Sequence, residues 1–202
     1  MGPLLLLVVG GWLLTRRTAR AATPEPASNF SFGWVLPRLG LGNSPKTRAD
    51  ALRLASLGVT HVLDVRRVID TGGEVPPDTS DAPQKFVGTG IVYHRTPMHD
   101  DGRQQSVASY VDAVTFVRNA LARPGTRVYV HCAAGRYRSP SVVYAVLRAM
   151  GYSADNAWRT VVAGRPQSQR QYIPGADASV ASLPHVELAP GPARRTAAAR
   201  RY

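Results

Sequence analysis

The residues able to do chemistry crowd into one stretch, His131-Cys132-Ala133-Ala134-Gly135-Arg136-Tyr137-Arg138-Ser139, which holds the chain's only cysteine. A free cysteine is often an inert core residue, but its neighbours here favour a reactive one. A guanidinium and a helix N-terminus both stabilise a thiolate, the form in which sulfur is a nucleophile. Arg138 supplies a fork of donors matched to a tetrahedral oxyanion. Gly135 permits the backbone conformation that turns successive N–H groups toward one point. Ser139 can donate a hydrogen bond to the sulfur and help it leave when a covalent intermediate breaks down. The chemistry that fits is an oxyanion held beside a nucleophilic sulfur.

Such a loop has to be held between regular elements. Arg127 to Val130 reads as a short buried strand. Pro140 to Met150 reads as a helix stopped by Gly151. The first N–H groups of that helix lack intrahelical partners and carry the positive end of its dipole, so they belong at the loop. Upstream, Trp34–Leu36 and Leu39–Leu41 are two strand-like pieces around Pro37. Arg48–Leu57 has helical spacing and is closed by Gly58. Val59–Val65 and Ile91–His94 read as strands. Ser106–Ala122 is an amphipathic helix capped by Ser106, and Ser153 caps another that runs through Val162 and ends at Gly164. This alternation predicts an α/β domain: a central, mostly parallel sheet flanked by helices, with the cysteine loop between a strand and a helix. Asp70–Gly90 is a Gly/Pro/Asp-rich loop leaving the carboxyl edge of that sheet. It either shapes the site or is a mobile surface insertion.

Length and composition fit one globular domain, with 202 residues, 44% hydrophobic and 19% charged. One cysteine excludes an internal disulfide and any multi-cysteine metal site. His61, His94, His99 and His185 have no ligand spacing, so no metal or other cofactor is expected. The net charge of +12 is uneven, since the first 22 residues carry +3 and the last 14 carry +4 without an acid, leaving 12 − 3 − 4 = +5 between them. Basic ends of this kind attract membrane surfaces and anions generally. Residues 4–17 begin as an apolar run, interrupted by Gly10 and Gly11 and closed by Arg16 and Arg17. The run is shorter than the roughly 17–25 residues of a membrane span. The arginines after it favour a membrane-associated segment with the catalytic domain in the cytoplasm. The other readings are a cleaved signal with Ala19-Arg20-Ala21 as its site, which would make the protein secreted or organellar, and a misplaced start. The expected organisation is an apolar segment and linker over 1–31, a catalytic domain over 32–184 and a basic, disordered tail over 185–202.

The cysteine loop resembles the signature of the cysteine-dependent protein phosphatases: His-Cys, five residues, Arg, then Ser or Thr. His131, Cys132, Arg138 and Ser139 match it. Gly58 to Val65, Gly-Val-Thr-His-Val-Leu-Asp-Val, is similar to the dual-specificity branch. The resemblance covers about Phe32 to Leu183. It implies a protein tyrosine phosphatase-like fold and two-step hydrolysis through a phosphocysteine, with no metal. Cys132 would be the nucleophile, Arg138 the oxyanion ligand, Ser139 an aid to the departing sulfur and His131 the residue that orients the loop. Ala133, Ala134, Gly135, Arg136 and Tyr137 would bind the phosphorylated substrate. A general acid is implied about thirty residues upstream, where Asp100 stands 132 − 100 = 32 residues before the cysteine and Asp101 stands 31 before it. Asp100 is preferred, with Asp101 the alternative.

The implied partner is a phosphorylated protein, phosphotyrosine first and phosphoserine or phosphothreonine next. The alternative is the headgroup of a phosphoinositide or other phospholipid. Arg136 suits that reading, but enzymes of that kind carry a second basic residue where this chain has Ala133. A phosphate-binding pseudophosphatase scaffold is a rival of another class. Such proteins usually lose the cysteine, the arginine or the acid, and this chain keeps all three. No basic stripe or stacking-aromatic pattern calls for a nucleic acid partner. The catalytic domain is expected to be monomeric, and Arg165 is expected to be structural.

Overall fold

The computed structural model describes residues 28–72 and 83–187. Its strands are β1 (Phe32–Leu36), β2 (Leu39–Gly42), β3 (His61–Asp64), β4 (Val92–Arg95) and β5 (Val128–His131), in the sheet order β1-β2-β5-β3-β4. Only the β1–β2 pairing is antiparallel; β2–β5, β5–β3 and β3–β4 are parallel. The helices are α1 (Arg48–Ser56), α2 (Val107–Leu121), α3 (Arg138–Ala149), α4 (Ala154–Gly164) and α5 (Ile173–Ser179). This is the expected α/β arrangement with a mostly parallel sheet.

Side chains alternate across the strands, so the central strands β3 and β5 feed two cores. Leu63, Val128 and Val130 pack with Val114 and Val117 of α2 and Val143 and Leu147 of α3. Val62 and Tyr129 face the other way, against Leu54 of α1, Phe30 and Phe86. Each such side chain contributes about 1.5–3 kcal/mol by leaving water. The contact between β1 and the end of α4 is closer still. A Cβ on Gly33 would lie 1.7 Å from the carbonyl oxygen of Gly164, so both positions exclude larger residues.

Three local features differ from the sequence-based expectation. Helix α3 begins at Arg138 rather than Pro140, which puts Arg138 and Ser139 in its first turn. Proline is tolerated there because the first N–H groups of a helix have no intrahelical partner to lose. Helix α5 falls in a stretch for which no element was predicted. It is seven residues long and contains Pro174 and Gly175, signals that normally punctuate structure, yet it buries Ile173, Ala176 and Ser179. The described parts of the Asp70–Gly90 stretch form two short 3-10 turns, Val68–Thr71 and Gln84–Phe86. Packing also extends past residues 32 and 184. Phe30 and Val186 are buried, and the Val186 N–H donates to Ala149 O at 3.1 Å. The apolar run over 4–17 and the tail from 188 lie outside the described residues. Among the described residues, no helix is long and apolar enough to cross a membrane.

Register places a polar layer at the carboxyl edge of the sheet. Asp64 stands opposite His131 on one side and Arg95 on the other. Asp64, Arg66 and His131 are all fully buried. Arg66 Nη2 and Nε donate to Asp64 at 2.7 and 3.0 Å, and the Tyr93 hydroxyl donates to it at 2.8 Å. Burial pushes the Asp64 carboxyl up, but the neighbouring His131 and the charge and hydrogen bonds of Arg66 outweigh it and hold the group at about 2. Burial lowers His131 to about 4, against the pull of Asp64. The ring is therefore neutral at pH 7, and Arg66 balances Asp64 there. An unfolded chain protonates this histidine as pH falls through 6.5, whereas the folded chain resists until about 4. The stability held in the neutral ring is complete above pH 6.5 and is lost between 6.5 and 4, roughly 3 kcal/mol in all. His61, also lowered by burial, acts in the same direction. Urea midpoints should therefore drop steadily from pH 7 to about 4.5, and His131→Asn should flatten that slope without abolishing it. A parent midpoint unchanged over this range would contradict a buried neutral His131.

Candidate active site

The cysteine loop joins β5 to α3, and its backbone is held from outside. Cys132 O faces His131 Nδ1 at 3.4 Å. Ala133 O accepts from the Ser44 N–H at 3.2 Å. Ala134 O and Gly135 O accept from Arg165 Nη2 and Nε at 3.3 and 2.8 Å. Arg136 O accepts from the Gln169 N–H at 2.8 Å. With its carbonyls tied outward, the loop turns N–H groups toward its interior, and the Gly135 N–H donates to Cys132 Sγ at 3.2 Å. Gly135 has φ +68°, and a Cβ there would come within 2.4–2.7 Å of the backbone of Gly42 and Asn43. Glycine is therefore required on both counts. The Ser139 hydroxyl lies 3.4 Å from the sulfur and 3.3 Å from Gly42 O, so its one hydrogen serves either.

His131 sits behind this loop with two acceptors near Nδ1, Cys132 O at 3.4 Å and Asp64 Oδ1 at 3.7 Å. A neutral ring facing two acceptors carries its proton on Nδ1. That proton lies between the loop carbonyl and the polar layer of the sheet.

Arg138 is almost wholly buried and held on three sides. Nη1 donates to Asp70 Oδ2 at 2.6 Å and to Met98 O at 3.2 Å, and Nη2 donates to Asp100 Oδ2 at 2.7 Å. Its Nε–H is buried with no partner among the described residues. An unpartnered buried donor on a cation is a strong attractor for an oxyanion. Asp70 is a site residue that sequence reasoning missed. The available signal was its place on a loop leaving the carboxyl edge of a strand parallel to β5. Burial raises the Asp70 carboxyl and its hydrogen bonds from Arg138 and Arg67 outweigh that, leaving it below the usual range.

The two candidate acids part company. Asp100 turns toward Arg138, and its Oδ1 accepts from the Tyr172 hydroxyl at 3.3 Å. Asp101 turns to Arg103, which donates from Nη2 at 2.6 Å and Nε at 3.0 Å and lowers its carboxyl to about 2. The loop bearing both is docked on its neighbours. Gln105 clasps the backbone of His99, accepting from its N–H at 2.8 Å and donating to its carbonyl at 2.9 Å. Gln104 accepts from the Gly175 N–H at 2.8 Å, and Met98 is fully buried beneath. Tyr172, at the start of α5, is the other residue that sequence reasoning missed, because α5 itself was missed. Ala133, Ala134 and Arg136 are exposed at the mouth and Tyr137 is half-buried. Arg165 is spent on backbone carbonyls, the structural role expected of it.

Comparison with known proteins agrees with this geometry. Residues 41–180 match the family model described as dual specificity phosphatase, catalytic domain. Mouse dual specificity protein phosphatase 13B is 33% identical over 116 residues, covering 56% of this chain and 53% of that one. Bovine dual specificity protein phosphatase 26 is 33% identical over 113 residues, covering 56% and 49%. The chain thus spans about half the length of the curated relatives it matches. Among solved structures, PTPMT1 in complex with PI(5)P superposes with a TM-score of 0.60 at 20% identity, over 75% of this chain and 95% of that one, a likeness of fold. The family match spans well over half of the sequence and takes in the whole cysteine loop, so the chain belongs to the dual specificity phosphatase catalytic-domain family.

Proposed function

We propose that this protein hydrolyses phosphate monoesters through a phosphocysteine, acting on protein phosphotyrosine first and on phosphoserine and phosphothreonine next. The observation that carries this reading is the cradle itself: a sulfur receiving N–H and O–H donors at the floor of a loop whose carbonyls are all tied outward, beside a buried arginine with a free donor. Cys132 Sγ attacks phosphorus in line with the ester oxygen. The phosphoryl oxygens take the loop N–H groups and the Nε and Nη2 donors of Arg138, where negative charge is greatest. Arg138 thereby passes from Asp100 to the substrate, and the Asp100 carboxyl turns to the leaving oxygen and gives it a proton. The S–P bond forms as the P–O bond breaks. Water then attacks the phosphocysteine, its proton goes back to Asp100, and the sulfur leaves as thiolate with help from Ser139. Asp101, paired with Arg103, is not the acid in this scheme. Asp70 is a positioning residue that holds Nη1 so that the other side of the guanidinium faces the substrate.

A phospholipid headgroup is the second reading. It is favoured by the exposure of Arg136 at the mouth and by the likeness in fold to PTPMT1, which has been solved with PI(5)P. Ala133 in place of a second basic residue stands against it. Alongside this, the apolar run over 4–17 is read as a membrane-associated segment.

Phosphate release from an aryl phosphate and from a phosphotyrosine peptide should fall by about 10⁴-fold or more in Cys132→Ser. Turnover that persists in that variant would overturn the cysteine mechanism, and retained phosphopeptide binding by a parent without turnover would point to a scaffold. Asp100→Asn should slow hydrolysis of substrates with poor leaving groups by about 10²-fold, while Asp101→Asn should stay within about threefold. An equal or reversed loss would assign the acid to Asp101. Asp70→Ala should weaken inhibition by inorganic phosphate about tenfold, and an unchanged inhibition constant would show that Arg138 needs no such support.

A further inference from the structure

Tyr172 is fully buried at the start of α5, and its hydroxyl meets the loop of Asp100 at two points. It accepts from the Gly102 N–H at 3.2 Å and donates to Asp100 Oδ1 at 3.3 Å. Among the described residues Asp100 Oδ1 is the one acceptor for the hydroxyl hydrogen. Burial raises the proton affinity of the hydroxyl, so it remains a donor at neutral pH. The backbone of Tyr172 is anchored as well. Its carbonyl accepts from the Tyr110 hydroxyl at 2.9 Å, and that hydroxyl lies 3.1 Å from Ser141 Oγ. Ser141 Oγ in turn donates to Arg138 O at 2.8 Å. Tyr110 and Ser141 are fully buried. On the other side, Gln104 Nε2 donates to Gln171 O at 3.0 Å. Tyr172 is therefore tied both to the loop of Asp100 and to the first turn of α3, which bears Arg138.

The two oxygens of Asp100 face different groups. Oδ2 takes Arg138 Nη2 at 2.7 Å, and Oδ1 takes the Tyr172 hydroxyl. A protonated carboxyl has one hydrogen, which either oxygen can carry. On Oδ1 it would meet the hydroxyl hydrogen of Tyr172. On Oδ2 it meets no donor once a phosphoryl group has drawn the guanidinium away. We propose that Tyr172 is a positioning residue, whose hydroxyl keeps Oδ1 an acceptor and assigns the transferable proton to Oδ2. The proposal rests on the phosphatase reading, with Asp100 as the acid. Oδ2 stands beside the nitrogen that the phosphoryl oxygens take, so the proton is already on the side of the leaving oxygen. As the P–O bond breaks, the Oδ2 proton passes to the ester oxygen and leaves a carboxylate still held at Oδ1. When water attacks the phosphocysteine, its proton returns to Oδ2. A carboxyl pinned at one oxygen gives up its rotational freedom before the reaction rather than during it.

Tyr172→Phe removes the hydroxyl and keeps the buried ring. The test measures kcat/KM, with the full chain, on phenyl phosphate and on nitrophenyl phosphate. The first has a leaving oxygen that needs the proton, and the second releases a phenolate that departs with little help. The variant should lose about tenfold on phenyl phosphate and less than twofold on nitrophenyl phosphate. The ratio of the two within one protein is untouched by any fraction that fails to fold. In an Asp100→Asn background, which has no proton to place, adding Tyr172→Phe should change the phenyl phosphate rate by less than twofold. An unchanged ratio in Tyr172→Phe would overturn the proposal. So would a tenfold loss that persists in the Asp100→Asn background, because it would mark a general structural role. Either result leaves the phosphatase reading standing, provided that Cys132→Ser is inactive and Asp100→Asn is selectively slow on phenyl phosphate. An Asp100→Asn ratio equal to the parent's would remove the acid and the proposal together.

Discussion

Five consecutive carbonyl oxygens, Cys132 to Arg136, point away from the sulfur because each has a partner outside the loop. A peptide plane has two ends, so fixing the C=O outward fixes the following N–H inward. The electrostatics of the site follow from this constraint more than from any single charged side chain. The partners come from well-separated places in the chain: Ser44 before α1, His131 on β5, Arg165 after α4 and Gln169 before α5. The loop therefore forms only once the domain has assembled around it. A cradle built this way costs no reorganisation when charge develops inside it. Arg165 matters most among the tethers, because one buried guanidinium holds two of the carbonyls and also Ser31 O at 3.1 Å, joining the chain ahead of β1 to the site.

Arg138 extends the same logic to a side chain. Its guanidinium is locked by Asp70 on one nitrogen and by Asp100 on the other, with Nε left over. Burying this cation beside two carboxylates balances its charge without a ligand. The two carboxylates are not equivalent. Asp70 is held also by Arg67, through its side chain at 3.3 Å and its N–H at 3.2 Å. Among the described residues Asp100 has only the long contact from Tyr172 besides Arg138. The carboxylate with fewer ties is the freer to let go, as the proton donor proposed above must do. Gln104, Gln105 and Met98 fix the backbone beneath it, so the motion is confined to a side chain.

The cysteine loop was legible because its pattern is local: cysteine, glycine, arginine and serine within eight residues, between a strand and a helix. Strands and longer helices were legible because periodicity is also local, and Ser106 and Ser153 cap the helices they were expected to cap. What escaped was carried by contacts distant in sequence. Asp70 lies 68 residues from Arg138 and Tyr172 lies 72 from Asp100, and no spacing rule reaches that far. Adjacent Asp100 and Asp101 could not be separated by counting. Arg103 separates them in space, by engaging Asp101 with two of its donors. Helix α5 escaped for a different reason, since its proline and glycine mimic a turn while tertiary burial of Ile173 and Ala176 makes it a helix.

The polar layer behind the loop has a consequence for the sulfur. A buried ion pair seldom adds to stability, because desolvating both charges cancels most of their attraction. Asp64 and Arg66 are fully buried nonetheless, directly under the residue that precedes Cys132. Asp64 gives His131 an acceptor beside Nδ1, which keeps the proton on that nitrogen and the ring close to Cys132 O. An unbalanced carboxylate in that position would also leave a buried negative charge behind the sulfur, at a cost. Arg66 removes that penalty, with two nitrogens on the same carboxylate at 2.7 and 3.0 Å. The pair thus sets an acceptor beside the histidine while presenting almost no net charge to the sulfur. That requirement accounts for an arginine being taken wholly out of water two residues beyond the end of the strand.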